Sequence, residues 1–500
     1  MLNQVHRQLI NLFGSRMTDI ETLSNLPAVL LIGGLDPQGC AGISADSQTV
    51  SNHGCHPVPL ITCLTEQTSQ GLTALGEVTL GQFWNQYESA VADFDIAAIK
   101  VGLVPNIEIA KVLLSIIKQH DVPVILDPVL ASTSGGVSVS DDVQQFLVES
   151  VLPEITLLTP NTIELQQLTL QDNQTTASQS LLDLGLNACL VKGGHSDSQW
   201  ATDYFTDTTT KFYCYTDKLD KNVRGTGCVL ASSIASNMAL NHDIRDAVVL
   251  AKAYLTRGIR EAKHIGPYHV IAHSSADFEL IDIPKLTYTE SLVGQQFNFP
   301  SCPHRLGIYP VVDSSDWIKK LTDEGIKTIQ LRIKDATEQQ KQTDIPKAIS
   351  HCDDTVAFFV NDYWRVAIEH QAYGVHLGQE DLHDASLAEI EQAGLRLGIS
   401  THSYWELARA LAVNPSYIAL GPVFATTSKI MPWTPQGVER VEQWTWLLGD
   451  TYPLVAIGGI DFARAEQLHK TGVGSVAMIS AITKAEDYKK VVSELLDLWG

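Results

Sequence analysis

Gln330-Leu331-Arg332-Ile333-Lys334 alternates polar and apolar residues. A strand turns successive side chains to opposite faces, so Leu331 and Ile333 share one face and Gln330, Arg332 and Lys334 the other. Working outward, this run is one of eight: Leu306–Val312, Thr328–Ile333, Val356–Val360, Gly374–Leu377, Arg396–Ile399, Tyr417–Leu420, Leu454–Ile457 and Ser475–Ile479, each followed by a stretch able to form a helix. Eight β-α units in about 195 residues predict a small (β/α)8 TIM barrel. The apolar face then packs on helices, and Gln330, Arg332 and Lys334 face the interior near its mouth. Buried cations need an anion, and a guanidinium fork beside an ammonium suits a diphosphate. The plainer alternative is a set of salt bridges with acids inside the barrel.

The chemistry of such a barrel lies at the C-terminal ends of its strands. The third run ends in Asn361-Asp362 and the fourth is followed by Gln379-Glu380-Asp381. Two carboxylates from neighbouring strand ends suit magnesium, which takes one or two carboxylates together with phosphate oxygens. Taken singly, each Asp could simply cap a helix. The sixth run leads into Thr426-Thr427-Ser428-Lys429, a hydroxyl-rich loop ending in a cation. Gly458-Gly459 and Ile479-Ser480 follow the seventh and eighth runs, where this fold usually binds phosphate through backbone N–H groups.

The earlier half reads differently. Val29–Gly33, Val122–Asp127, Ile155–Leu158 and Ala188–Val191 are short apolar runs bounded by Gly, Pro and Asp, with helices expected between them, for instance Asn106 to Gln119 and Thr226 to Leu240. This pattern predicts a doubly wound α/β sheet. Arg224-Gly225-Thr226-Gly227-Cys228 opens a long apolar helix, and the N–H groups of a helix N-terminus can hold a phosphoryl group. Asn161 and Glu164 could position magnesium, and Lys192 could neutralise nucleotide phosphates. Gly33-Gly-Leu-Asp36-Pro-Gln-Gly39-Cys40-Ala-Gly42 is glycine-rich but is not a P-loop. Between the halves, residues 283–305 contain three prolines and read as a linker. The expected organisation is therefore an N-terminal extension over 1–26, an α/β domain over 27–282, the linker, and a barrel over 306–500.

Bulk properties narrow the functions. Five hundred residues exceed what one core supports. A formal net charge of -23 argues against a nucleic-acid partner. No apolar run is long enough for a membrane span, and the eight cysteines contain no C-x-x-C pair, so a reducing cytoplasm is expected.

At these residues the second half resembles thiamine-phosphate synthase, through Q-L-R-x-K, N-D, G-x-H-L-G-Q-x-D, G-P-V-F-x-T-x-S-K and A-I-G-G-I. The first half looks like the hydroxymethylpyrimidine phosphate kinase branch of the ribokinase superfamily, through G-x-D-P-x-G-x-A-G-x-x-A-D, T-P-N-x-x-E, K-G-G-H and G-T-G-C. The resemblance implies that ATP phosphorylates hydroxymethylpyrimidine and then its monophosphate. The resulting diphosphate condenses with a thiazole phosphate to give thiamine phosphate. It implies magnesium on Asp362 and Asp381, and a diphosphate and pyrimidine held by Gln330, Arg332, Lys334, Asn361 and Lys429. Ser400, Thr426, Ser428, Gly459, Ile479 and Ser480 would complete the pyrimidine and thiazole sites. In the kinase half it implies Asp46, Gln67 and Val129 around the pyrimidine, and Cys228 with Gly225, Thr226 and Gly227 at the transferred phosphoryl. A thiolate there could have a lowered pKa and act as base, or the cysteine could merely pack. The chain departs from the usual pattern at Cys40, Thr68-Ser69, Ala425, Ser428, Asp461 and Arg464. Asp461 is expected to cap the next helix. Small-molecule substrates are the expected partners, with a homodimer as the oligomeric expectation. Rival readings are a pyridoxal kinase, a thiazole tautomerase, or a vitamin-binding module without turnover.

Overall fold

The computed structural model describes residues 26–68, 71–130, 139–194, 198–273, 277–426 and 434–499. They divide into two compact units. One runs to Phe212 and includes Thr216–Phe278, and the other holds Tyr213–Tyr215 and the chain from Glu279 onward. No helix among the described residues is long and apolar enough to cross a membrane.

The first unit is built on a mixed sheet. Eight of its strands are β1 (Ala28–Leu35), β2 (His56–Thr68), β3 (Gly71–Glu77), β4 (Ile96–Val101), β5 (Val124–Leu126), β6 (Leu157–Leu158), β7 (Ala188–Val191) and β8 (Trp200–Asp207). They lie in the order β8-β7-β6-β5-β4-β1-β2-β3. From β7 across to β2 the pairing is parallel, while β3 and β8 add antiparallel flanks. The central strands are apolar on both faces because helices cover both: β1 buries Ala28 to Leu31 almost completely. The chain leaves β1 toward β2 on one side and returns to β4 on the other. That reversal opens a crevice beyond the carboxyl ends of β1 and β4, the usual ligand position of an open α/β sheet. Two helices point into it: α1 (Gly42–Asn52) and α2 (Thr226–Ala239).

The second unit is the barrel. Its strands are β9 (Gly307–Val312), β10 (Thr328–Leu331), β11 (Ala357–Asn361), β12 (Gly374–Leu377), β13 (Arg396–Thr401), β14 (Tyr417–Leu420), β15 (Leu454–Ile457) and β16 (Ser475–Met478), all parallel and closed by β9 pairing with β16. Tyr309, Val311, Phe359, Tyr417, Ala419 and Val455 fill the interior. Large rings fit because small residues face them. A Cβ on Gly398 would lie 2.1 Å from the Tyr417 ring, and one on Gly374 would lie 2.6 Å from that of Phe359.

Two expectations change. Strand β10 ends at Leu331, one pair earlier than the alternation suggests, so Lys334 is exposed on the following turn rather than inside. The 283–305 segment, expected as a linker, is bonded to the barrel's flank. Asn414 donates to the Phe297 carbonyl at 3.0 Å and Arg396 to that of Ser301 at 2.9 Å.

Gly398→Ala forces a methyl into the Tyr417 ring. Overpacking of this kind costs about 1–3 kcal/mol. Urea unfolding should show that loss in the barrel's transition, with the first unit's transition unmoved.

Candidate functional site

The crevice of the first unit is a cavity of about 600 Å³ lined by Gly34, Asp46, Gln67, Val129, Lys192 and Gly227 among others. Its floor is a buried ion pair. Lys100, the one cation within the apolar run of β4, places Nζ 2.7 Å from Asp46 Oδ2, and both residues are almost wholly removed from water. Ser232 of α2 donates to the other oxygen, Oδ1, at 2.7 Å. Asp46 is therefore satisfied from two other elements, and its charge is balanced before any ligand arrives. Burial pushes its carboxyl up, and Lys100 opposes the shift.

Above this floor runs the glycine-rich loop. Asp36 accepts from the N–H groups of Gln38, Cys40 and Ala41, at 3.0, 3.2 and 3.0 Å, and so staples the turn. Gly225 begins α2 with φ 78°, and a Cβ there would lie 2.0 Å from the Cys40 carbonyl oxygen. Only glycine permits that approach. A Cβ on Gly227 would come within 3.1 Å of Lys192 Nζ and 3.4 Å of Asp127 Oδ2. The uncapped N–H groups of this first turn thus lie beside Lys192.

Lys192 is held between acids, 2.5 Å from Asp127 and 3.7 Å from Glu164. Asn161 and Glu164 form a capping box on the helix Thr162–Thr169. The Glu164 N–H donates to the Asn161 side chain at 2.8 Å, and the Asn161 N–H donates to Glu164 Oε2 at 2.7 Å. Asn161 thus serves the helix start, and it also lines the cavity. Burial first, then neighbouring Asp127, pushes the Glu164 carboxyl up, with Lys192 pulling it down.

Cys228 lines the cavity. Its thiol is pushed up to about 11 by burial. Lys100 and the Gly42 N–H favour the thiolate, and Asp46 and Asp127 oppose it. Desolvation outweighs Lys100 and the Gly42 N–H, so the thiol is raised rather than lowered.

In the barrel, Gln330 is inside as expected, donating its amide to the Tyr309 hydroxyl at 3.2 Å. Arg332 is half-buried just past β10. Tyr363 pins that turn by donating to the Ile333 carbonyl at 2.9 Å. Asn361 ends β11, buried. Asp362 follows with φ 63° and its N–H bonded to the His376 carbonyl, so neighbouring strands fix its position. Asp381 opens the short helix after β12, and a Cβ on Gly378 would lie 3.0 Å from its carboxylate. Ser400, near the end of β13, meets His376 Nε2 at 2.8 Å. His376 is held down to about 4 by burial and by Arg332 nearby. Thr426 is half-buried, and Ser428 and Lys429 lie outside the described residues. Gly459 has φ 66°, and a Cβ there would lie 2.5 Å from the Ala425 carbonyl. Ile479 and Ser480 start the short helix after β16. Asp461 caps the helix Phe462–His469 through the Arg464 N–H, as expected.

Sequence reasoning missed Lys100, Asp127 as the partner of Lys192, and the Tyr309–Tyr417–His376 group. A lone lysine inside Ile96-Ala-Ala-Ile-Lys-Val101 was the available signal for the first.

Residues 36–273 match the family model described as phosphomethylpyrimidine kinase, and residues 308–482 match that of thiamine monophosphate synthase. A thiamine-phosphate synthase of Citrobacter koseri is 53% identical over 206 residues, which is 41% of this chain and 97% of that protein. One of Cronobacter sakazakii is 55% identical over 203 residues, covering 40% and 96%. Among solved structures, the phosphomethylpyrimidine kinase of Clostridium difficile aligns with a TM-score of 0.41 and 28% identity, over 46% of this chain and 98% of that one.

Lys100→Met leaves the buried Asp46 carboxyl without its counter-ion. Breaking one side of a buried pair costs about 3–5 kcal/mol. Denaturant melts should show that loss in the first unit, with Asp46→Asn added to Lys100→Met recovering part of it. In the ligand-free protein, iodoacetamide labelling of the Cys228 peptide, followed by mass spectrometry, should keep rising with pH toward about 11. A plateau near pH 8 would contradict the raised thiol.

Proposed function

The chain belongs to the thiamine-phosphate synthase family through its second unit and carries a phosphomethylpyrimidine kinase domain ahead of it, a bifunctional transferase of thiamine biosynthesis, and we propose that the side chains described above divide the two reactions between them. The observation that carries this division is that, in each matched unit, the polar side chains gather at the carboxyl ends of parallel strands.

In the first unit, hydroxymethylpyrimidine and then its monophosphate receive a phosphoryl group from ATP. Gln67 and Val129 flank the pyrimidine, and Asp46 shapes the floor through Lys100 rather than by offering a free carboxylate. The N–H groups of Gly225, Thr226 and Gly227, with Lys192, draw charge from the transferring phosphoryl group. Cys228 takes the substrate hydroxyl proton as a thiolate. That form is scarce at neutral pH but strongly basic, and Lys100 and the Gly42 N–H favour it.

In the second unit, Arg332 and Lys429 neutralise the leaving diphosphate while Asn361, Gln330 and Ser400 hold the pyrimidine. Lys334 contributes from the exposed turn. Thr426, Ser428, Gly459, Ile479 and Ser480 take the thiazole phosphate. The C–O bond to diphosphate breaks, the aminopyrimidine carries the resulting cation, and the thiazole nitrogen attacks it. No protein nucleophile is needed, so positioning and electrostatics account for the rate.

Magnesium fits both places by the chemistry of the donors. Asp362 and Asp381 come from adjacent strand ends, and the bare Gly378 leaves room beside Asp381. Glu164 stands against Asp127, and an added cation would relieve that repulsion. Bound there, the metal supplies positive charge to phosphate oxygens. A cytoplasmic setting suits an ATP-using enzyme whose cysteines are all free.

With hydroxymethylpyrimidine, ATP, magnesium and thiazole phosphate supplied, Asp362→Ala should accumulate the pyrimidine diphosphate. Cys228→Ala should slow the first phosphorylation by about 100-fold or more and leave synthesis from preformed diphosphate intact. Kinase turnover of the unaltered protein should climb with pH above neutrality as the thiolate fraction grows. Chromatography of the products decides each point. An unimpaired Cys228→Ala kinase removes the cysteine from catalysis.

A further inference from the structure

Five side chains from five strands form an unbroken chain of hydrogen bonds across the barrel interior. Gln330 Nε2 donates to the Tyr309 hydroxyl at 3.2 Å. The Tyr309 and Tyr417 hydroxyls lie 2.9 Å apart. The Tyr417 hydroxyl is 2.7 Å from His376 Nδ1, and His376 Nε2 is 2.8 Å from Ser400 Oγ. All but Ser400 are buried.

Counting protons gives the chain one direction. The Tyr309 oxygen accepts from Gln330, and its own buried proton has the Tyr417 oxygen as the remaining acceptor among the described residues, so it goes there. The Tyr417 oxygen is then filled from Tyr309, and its proton has His376 Nδ1 as the remaining neighbour among the described residues. Nδ1 is therefore an acceptor, the ring is neutral, and its single proton sits on Nε2, facing Ser400. The Ser400 oxygen accepts from that N–H, which leaves the Ser400 proton to be given to whatever occupies the mouth.

We propose that His376 is a positioning residue for the synthase reaction, fixed by Tyr309 and Tyr417 in the Nε2–H tautomer so that Ser400 serves as a hydrogen-bond donor to a ring nitrogen of the pyrimidine. Ring nitrogens of an aminopyrimidine are acceptors, so a donor of fixed orientation discriminates them from the exocyclic amine. A second brace supports the same strand end: Gln379 donates to the Ser400 carbonyl at 2.7 Å, and Arg409 donates to the Gln379 carbonyl at 2.6 Å. The proposal rests on the reading of this barrel as a synthase for its ligand, though not for the tautomer.

The test has two arms. Long-range proton–nitrogen NMR of the full chain labelled with [15N]histidine, with His376 identified by its loss in His376→Gln, should show a bare Nδ1 and a protonated Nε2. Steady-state kinetics with preformed hydroxymethylpyrimidine diphosphate form the second arm. Tyr417→Phe touches no ligand but breaks the chain. It should raise the KM for the diphosphate about tenfold with kcat changed less than about twofold, and the His376 signals should show a mixture of tautomers. A proton on Nδ1 in the unaltered protein overturns the proposal, and so does a Tyr417→Phe variant with unchanged KM and tautomer. If Tyr417→Phe does not fold, the tautomer of the unaltered protein decides alone. If the unaltered protein makes no thiamine phosphate from the diphosphate, the synthase reading fails while the NMR arm still judges the chain's direction.

Discussion

A polar group taken out of water must find a partner, and this constraint determines where both units keep their chemistry. Parallel strands sheathed by helices, or closed into a barrel, leave no room for polar side chains along their middles. The carboxyl ends are where strands diverge and side chains can meet. In the first unit Lys100 reaches that level from β4 and is matched by Asp46 from α1 and Ser232 from α2. In the barrel, Gln330, Tyr309, Tyr417 and His376 cross the interior, each bonded to the next. The cavity of the kinase unit and the mouth of the barrel sit directly on these paired layers, so a substrate meets donors and charges already oriented.

The paired layers also determine which residues are glycine. Gly225 lets the first turn of α2 approach the Cys40 carbonyl, and Gly398 makes space for the ring of Tyr417. A buried network needs its members at fixed distances, and a methyl group at either position would move one of them.

Much of this was legible in the sequence. Five barrel strands match their expected bounds or differ only at one end by a residue, because Gly, Pro and Asp punctuate short apolar runs. The polar residues at strand ends were readable for the same reason. Lys334 was misplaced because alternation continues past the last ladder bond: Ile333 and Lys334 keep the pattern after the backbone has turned away. Tyr309, Tyr417 and His376 were hidden by their settings. Each stands alone in an apolar strand, and its partner is 21, 41 or 108 positions away, a separation that no local pattern encodes. Lys100 was hidden in the same way, 54 positions from Asp46. The 283–305 segment looked unstructured because its hydrogen bonds to the barrel are made by backbone groups, which any residue supplies.

The central claim is that one chain carries hydroxymethylpyrimidine through to thiamine phosphate. A phosphorus NMR time course on the unaltered protein, given hydroxymethylpyrimidine, ATP, magnesium and the thiazole phosphate, tests it most directly. The account predicts the pyrimidine monophosphate signal first, then the diphosphate, then inorganic diphosphate rising together with thiamine phosphate. A pyrimidine diphosphate signal that grows and persists, with the thiazole phosphate unconsumed, would contradict it.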